Sequence, residues 1–329
     1  MIPGVTAKAL NEIRIKGKIK VFPEDFVVAE VIKKGLSFKE GRHLLAIAEK
    51  KGVEHAVVSK TLGNIANYLG IKDKDALAYF FVSFKRVKIN IKNVPGIRLR
   101  FVGKTKTILT RRYLLGNAFK VKIRDCECIE NAFQNWKNIL ERWEAPNFYG
   151  MQRFENNNYV IGEALVKRDF KKADELVQED GYNGIKDVPL WLRRFYVQAY
   201  QSYLFNRELS KVLNGEVSGE PIRMNFSEGF FNGSVEIAYL PGYGFRDKGD
   251  VYSKALIEVA KEEGIKFRHF YIDEYQEISQ EGGIRPARII AHKANYRINE
   301  GLNEAIVNFI LYKGSYATVA LRELLSDLG

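Results

Sequence analysis

A carboxylate flanked by lysine on both sides is the first place where this chain could do chemistry. In Gly70-Ile71-Lys72-Asp73-Lys74-Asp75-Ala76, neighbouring cations favour the ionised form, which suits Asp73 to nucleophilic or general-base work. A solvated turn of alternating charges is the competing reading of the same residues. A second cluster, Pro146-Asn147-Phe148-Tyr149-Gly150-Met151-Gln152-Arg153-Phe154, gathers aromatics, amides and an arginine around one glycine. Such groups can stack on and hydrogen-bond a splayed nucleotide base, or close an aromatic corner of a core. Other constellations are missing: no phosphate-loop lysine motif, no dinucleotide-binding glycine fingerprint, no His-Glu-x-x-His. The four histidines, His43, His55, His269 and His292, are scattered and read as structural.

The elements that must position these clusters alternate between two periods. Lys18-Ile19-Lys20-Val21 alternates as a strand and stops at Phe22-Pro23-Glu24-Asp25, because proline lacks the donor that a central ladder needs. Val58, Leu62, Ile65 and Leu69 recur at helical spacing, with Gly70 where a C-cap belongs. Ala76 to Val82 reads as a buried strand, and Ile97, Leu99 and Phe101 as an alternating one. Phe133, Trp136, Leu140 and Trp143 mark a helix closed by Ala145-Pro146. Leu190 to Leu213 is a long helical pattern entered through Pro189. The Gly- and Asn-rich stretches Asn225 to Gly233 and Gly242 to Gly249 read as loops. Ala305, Val307, Phe309 and Leu311 then alternate as a strand, Lys313-Gly314-Ser315 turns the chain, and Ala317, Ala320, Leu321, Leu324 and Leu325 form one helical face. Elements of the first kind thus return after a dissimilar middle, the pattern of an α+β core split by an insertion.

Composition narrows the partner. The 329 residues carry 52 Lys+Arg against 40 Asp+Glu, a net charge of +12, with 46% hydrophobic residues. That content excludes wholesale disorder, and no 20- to 50-residue repeat is present. Met1 to Arg124 holds 27 basic and 9 acidic residues, and no carboxylate occurs between Ala76 and Arg124. Phe119, Val121 and Ile123 interleave with Lys120, Lys122 and Arg124, a strand with one basic face. Such a block repels itself unless a polyanion neutralises it, which points to nucleic acid ahead of a membrane surface or simple solvation. Met1-Ile2-Pro3-Gly4-Val5 lacks a signal-peptide run and no stretch is apolar enough to span a bilayer, so a cytoplasmic protein is expected. Cys126 and Cys128 are too few for a zinc site and read as ordinary thiols of a reducing compartment.

Seven segments, in order, carry a family resemblance. They are Lys20-Val21-Phe22-Pro23-Glu24-Asp25-Phe26; Gly41-Arg42-His43-Leu44; Gly70-x-Lys72-Asp73-Lys74-x-Ala76; and Leu115-Gly116-Asn117-Ala118-Phe119. After these come Asn147-Phe148-Tyr149-Gly150-x-Gln152-Arg153-Phe154, Ala199 to Asn206, and Gly314 to Thr318 with Leu321-Arg322-Glu323-Leu324. Over nearly its whole length the chain resembles the TruD family of tRNA pseudouridine synthases.

The resemblance implies a pseudouridine-synthase core, a mixed and largely antiparallel sheet with flanking helices, interrupted by an α/β TruD-specific domain. Residues 1–155 and 283–329 would form the core and 156–282 the insertion, with RNA in the cleft between. It implies isomerisation of a uridine, position 13 of tRNA first, to pseudouridine without cofactor, metal or energy source. Asp73 matches the catalytic aspartate; attack on the sugar, attack on the ring and proton abstraction all remain open for it. Lys20 would keep the aspartate ionised and steer phosphate, with Lys72 and Arg153 as further support. Asn147 and Tyr149 would shape the uridine pocket, Tyr149 by stacking on the base. Many family members carry Thr and Gln where this chain has Ala78 and Phe80. That departure motivates one alternative, a non-catalytic tRNA- or RNA-binding protein on the same scaffold. A hydrolytic nuclease has no histidine pair or metal-binding carboxylate cluster to support it. Protein partners and oligomeric state are unreadable.

Overall fold

The computed structural model describes residues 1–34, 39–63, 66–69, 73–85 and 94–328. Gly70, Ile71 and Lys72 lie outside the described residues, as does Ile65.

The N-terminal part of the chain is built on strands. In order they are β1 (Phe26–Ile32), β2 (His43–Lys51), β3 (Ala66–Tyr68), β4 (Leu77–Phe84), β5 (Ile97–Thr105) and β6 (Leu114–Ile123), with helix α1 (His55–Leu62) between β2 and β3. Helix α2 (Glu130–Glu141) follows. The C-terminal strands β10 (Ala291–Asn299) and β11 (Glu304–Tyr312) return to the same sheet. Among the described residues the order is β10-β11-β6-β1-β4-β2-β5, with β3 beside β4. Only the β1–β4 pair is parallel; the others are antiparallel. The sheet is therefore mixed and largely antiparallel, within an α+β fold.

Alternation decides which face is covered. In β11, Ala305, Val307, Phe309 and Leu311 are buried while their neighbours are half-buried, the pattern of a sheet packed on one side. Helix α2 supplies that packing: Trp136 meets Phe309 edge-on at 5.6 Å and donates Nε1–H to Ala320 O at 3.0 Å. The buried Asp25 carboxylate on this side is paired. Asp25 accepts from Arg124 Nε and Nη2, each at 2.9 Å, and from the Phe22 N–H at 3.0 Å. Burial pushes its carboxyl up, but Arg124 and the Phe22 amide outweigh it and hold it below its ordinary range.

Between the two sets of strands lie α3 (Asn158–Val166), α4 (Phe170–Glu179), α5 (Leu190–Leu213), β7 (Arg223–Glu228), β8 (Phe231–Leu240), α6 (Val251–Glu262) and β9 (Gly283–Pro286). The three strands form their own sheet, β7-β8-β9. Helix α3 crosses α5 closely because Gly162 has no side chain; a Cβ there would stand 2.0 Å from Tyr196 O. The short helix α7 (Ala317–Arg322) closes the fold behind β11.

Four local expectations are corrected. Lys18–Val21 is no strand: Lys18 makes one isolated bridge to Arg124, and Lys20 takes φ 59°, which breaks an extended run. The helix through Val58 ends at Leu62, not Leu69, because Gly63 turns the chain at φ 64°. Asn225 to Gly233 is not a loop but most of the β7–β8 hairpin, closed at Gly229-Phe230 with Glu228 opposite Phe231. Cys126 and Cys128 are joined as a disulfide rather than left as free thiols. Their Cα atoms stand 5.1 Å apart.

Candidate active site

Lys20 and Asp73, 53 residues apart in sequence, meet as an ion pair through Nζ and Oδ2. Each side chain keeps about a fifth of its surface exposed (21% and 23%). Lys20 reaches there from a left-handed backbone, a conformation that L-residues adopt at a cost and that clusters at functional sites. Its ammonium also sits 4.8 Å from the centre of the Phe26 ring. A third group converges on the same oxygen: Gln152 Nε2 donates to Asp73 Oδ2 at 2.9 Å. The other carboxylate oxygen accepts from the Asp75 N–H at 3.2 Å.

Beneath this carboxylate lies Lys50, fully buried near the end of β2. Its Nζ donates to Val53 O at 2.6 Å and to the backbone carbonyl of Asp73. Burial lowers the Lys50 pKa, and the nearby charge of Asp73 opposes that fall. For Asp73, burial pushes the carboxyl up, but Lys20, the Asp75 amide and the Lys50 charge prevail and hold it below its ordinary value. The carboxylate is therefore ionised at neutral pH. Lys74, expected to be one source of this effect, instead faces Glu54 at 3.1 Å. The working cations come from Lys20 and Lys50, which chain spacing does not reveal.

Asp73 opens on a cavity of about 190 Å³. Phe26 and Val28 of β1 and Asn117 and Phe119 of β6 form its floor. Ser315, Tyr316 and Thr318, at the start of α7, form the facing wall. Phe119 stacks on Phe309 at 5.2 Å and meets Phe26 edge-on at 6.0 Å, so its ring is held rigid. Asn117 Oδ1 is buried with no hydrogen-bond partner among the described residues, an unmet acceptor beneath the cavity floor.

Asn147, Tyr149 and Arg153 are brought together behind that wall and do not line the cavity. Asn147 is buried; its Nδ2 donates to Pro286 O at 3.0 Å, and it receives Arg285 Nη2 on Oδ1 at 3.0 Å. The Tyr149 ring lies under the Arg285 guanidinium at 4.1 Å and meets Tyr316 edge-on at 6.0 Å. Its N–H donates to Asn206 Oδ1 at 2.8 Å. Arg153 Nε donates to Ser202 Oγ at 3.1 Å. The ring expected to stack on a base is thus occupied, while Phe119 and Tyr316 face the open space. Ala78 and Phe80 are buried in β4 and do not line the cavity, although Ala78 pairs with Val28, which does. Among the described residues no three His, Cys, Asp or Glu side chains group to hold a metal, and no helix is long and apolar enough to cross a membrane.

The model of the family "tRNA pseudouridine synthase D (TruD)" matches residues 4–179 and 231–324. This chain belongs to the TruD family of pseudouridine synthases. Curated TruD relatives are similar end to end. A probable tRNA pseudouridine synthase D of Thermococcus sibiricus is 28% identical, over 95% of this chain and 96% of that protein. One of Pyrococcus furiosus is 27% identical, with the same shares covered. The crystal structure of the "Putative tRNA pseudouridine synthase D (TruD)" from Methanosarcina mazei superposes with a TM-score of 0.73 over 99% of this chain and 96% of that one, at 21% identity. The fold is therefore that of TruD, and the enzyme is a pseudouridine synthase, an isomerase. The family match omits residues 180–230, which contain α5 and β7.

Proposed function

We propose that this chain isomerises a uridine of tRNA, position 13 first, using Asp73 and no cofactor, in the cytoplasm. The observation that carries the reading is an ionised carboxylate on the wall of a cavity sized for one nucleoside. Pockets for whole drug-sized ligands run to about 300–1000 Å³; this smaller one suits a single base everted from a polymer that stays outside. The target uridine leaves its stack and enters the cavity. There the N1–C1′ bond breaks, uracil turns, and C5 joins C1′; the C5 proton departs and N1 regains one.

Each part has a task in that sequence. Asp73 supplies the negative charge at the reacting centre, whether toward C1′, the ring, or a proton. Lys20 and Gln152 hold one of its oxygens in place, and Lys50 fixes its backbone. Phe119 and Tyr316 would receive the flat faces of uracil. Asn117, which lines the cavity, would turn its amide so that Oδ1 accepts from the N3–H that distinguishes uracil from unprotonated cytosine.

We divide the chain accordingly into a core of residues 1–155 and 283–329 and an insertion of 156–282. Support comes from β10 and β11 joining the sheet of β1 and β6 while β7 and β8 form a second sheet. Strand β9 pairs with β8 as the chain crosses back. Incubating the purified chain with unmodified tRNA and mapping pseudouridine by carbodiimide-primer extension tests the reading. A stop at one uridine is expected. Salt-sensitive binding without product would make the chain a tRNA-binding protein on a synthase scaffold instead.

A further inference from the structure

Two arginines behind the cavity lack what several other partly buried arginines of this chain have. Arg124 is paired with Asp25, Arg193 with Glu277 and Arg207 with Glu263. Arg153 donates only to the neutral Ser202 Oγ and Gln198 Oε1 among the described residues. Arg285 donates only to Asn147, through Nη2. Its Nε is buried without a hydrogen-bond partner among the described residues. The two guanidiniums share the Tyr149 ring, at 5.8 Å and 4.1 Å. Each is only half-buried, so a ligand can reach them.

Two neighbouring half-buried cations with no ion-pair partner among the described residues repel each other and lose part of their hydration. Burial lowers the Arg153 pKa, and the charge of Arg285 acts in the same direction. The pair also lies next to the cavity. Gly314 takes φ 90°, and a Cβ there would stand 3.6 Å from Arg285 Nη1. The residues that follow it, Ser315 and Tyr316, line the cavity wall. The planar fork of a guanidinium fits the oxygens of a phosphodiester better than any other side chain. We propose that Arg153 and Arg285 together seat one backbone phosphate of the RNA, that of the everted uridine or of its immediate neighbour. This rests on the reading of the cavity as a uridine site. The seat anchors the strand while the base turns, so the broken halves of the nucleotide stay in register.

Filter binding of an unmodified tRNA transcript between about 50 and 200 mM KCl tests the assignment, because each neutralised phosphate contributes about 0.7–0.9 to the slope of log affinity against log salt. Arg153→Gln and Arg285→Gln should each weaken binding and lower the slope in part, and the double variant should lower it by about one such unit. Arg285→Lys should keep the slope. A double variant with the wild-type slope, whatever its affinity, overturns the proposal and leaves the arginines as supports for Tyr149 and Asn147. If Arg285→Gln does not fold, Arg153→Gln must show the lowered slope alone, and a wild-type slope there overturns it equally. Pseudouridine formation by the wild-type preparation is scored in parallel. Product with unchanged slopes sinks only the phosphate seat; no product sinks the uridine reading itself.

Discussion

Gln152 Nε2 and Asp73 Oδ2 lie 2.9 Å apart across 79 residues of chain. That hydrogen bond ties the carboxylate just before the central strand β4 to the segment leading from the core into α3. With Lys20 on the same oxygen, Asp73 is gripped from both sides of the cavity mouth. The orientation of the carboxylate therefore depends on the two halves of the site being assembled together.

Gln152→Ala should lower the single-turnover rate on tRNA by on the order of 10- to 100-fold, the scale of losing one orienting contact. Gln152→Glu should be worse than alanine, because a second carboxylate at that distance disfavours the ionised form of Asp73. Equal rates for the two variants would show that Gln152 has no electrostatic influence on Asp73.

Removing Lys20 should move the acid limb of the pH–rate profile upward. Asp73 has a folded-state pKa below its ordinary value, so the stability from its ion pair is present above the unfolded pKa and is lost as pH falls through the lower folded one. In Lys20→Met, burial acts with less opposition and the carboxyl titrates at higher pH. Single-turnover rates from pH 4 to 8 in both proteins, roughly the span over which a shifted carboxyl titrates, check the direction; coincident limbs would refute it.

Lys50→Met keeps much of the buried volume but leaves two backbone carbonyls, those of Val53 and Asp73, without a donor. The expected loss is about 1–3 kcal/mol of stability in urea unfolding, together with a slower reaction. Lys60→Met, on the exposed side of α1, should change stability by less than about 0.5 kcal/mol.

Much of this was legible in the chain itself. The strand runs through Ala76, Ile97 and Ala305 and the helix from Leu190 to Leu213 appear as periodicity, because one-sided burial imposes a repeat that residues report. Asp73 and Lys20 were readable through resemblance, and the structure brings them together. What escaped depends on contacts far apart in sequence. Lys50 looks like one more cation in a basic region, and only burial against the Asp73 backbone distinguishes it. Lys74 looks like a partner of Asp73 by spacing, yet turns to Glu54. Tyr149 has the chemistry of a stacking platform, but Arg285, 136 positions later in the sequence, covers its ring. The Asn225–Gly233 hairpin was hidden because Gly and Asn signal turns whether or not strands flank them. Lys20 broke its own strand pattern to reach the site, a local conflict of the kind that marks function.

The central claim is that Asp73 performs the isomerisation inside the cavity beside Phe119. It is tested most directly by carbodiimide-primer extension on unmodified tRNA treated with wild-type protein and with Asp73→Ala, alongside filter binding of both. The account predicts pseudouridine at one uridine with wild type, a rate lower by at least about 10²–10⁴-fold with the variant, and tRNA affinity retained within about tenfold, or about 1.4 kcal/mol. Pseudouridine formed at the wild-type rate by Asp73→Ala would contradict it.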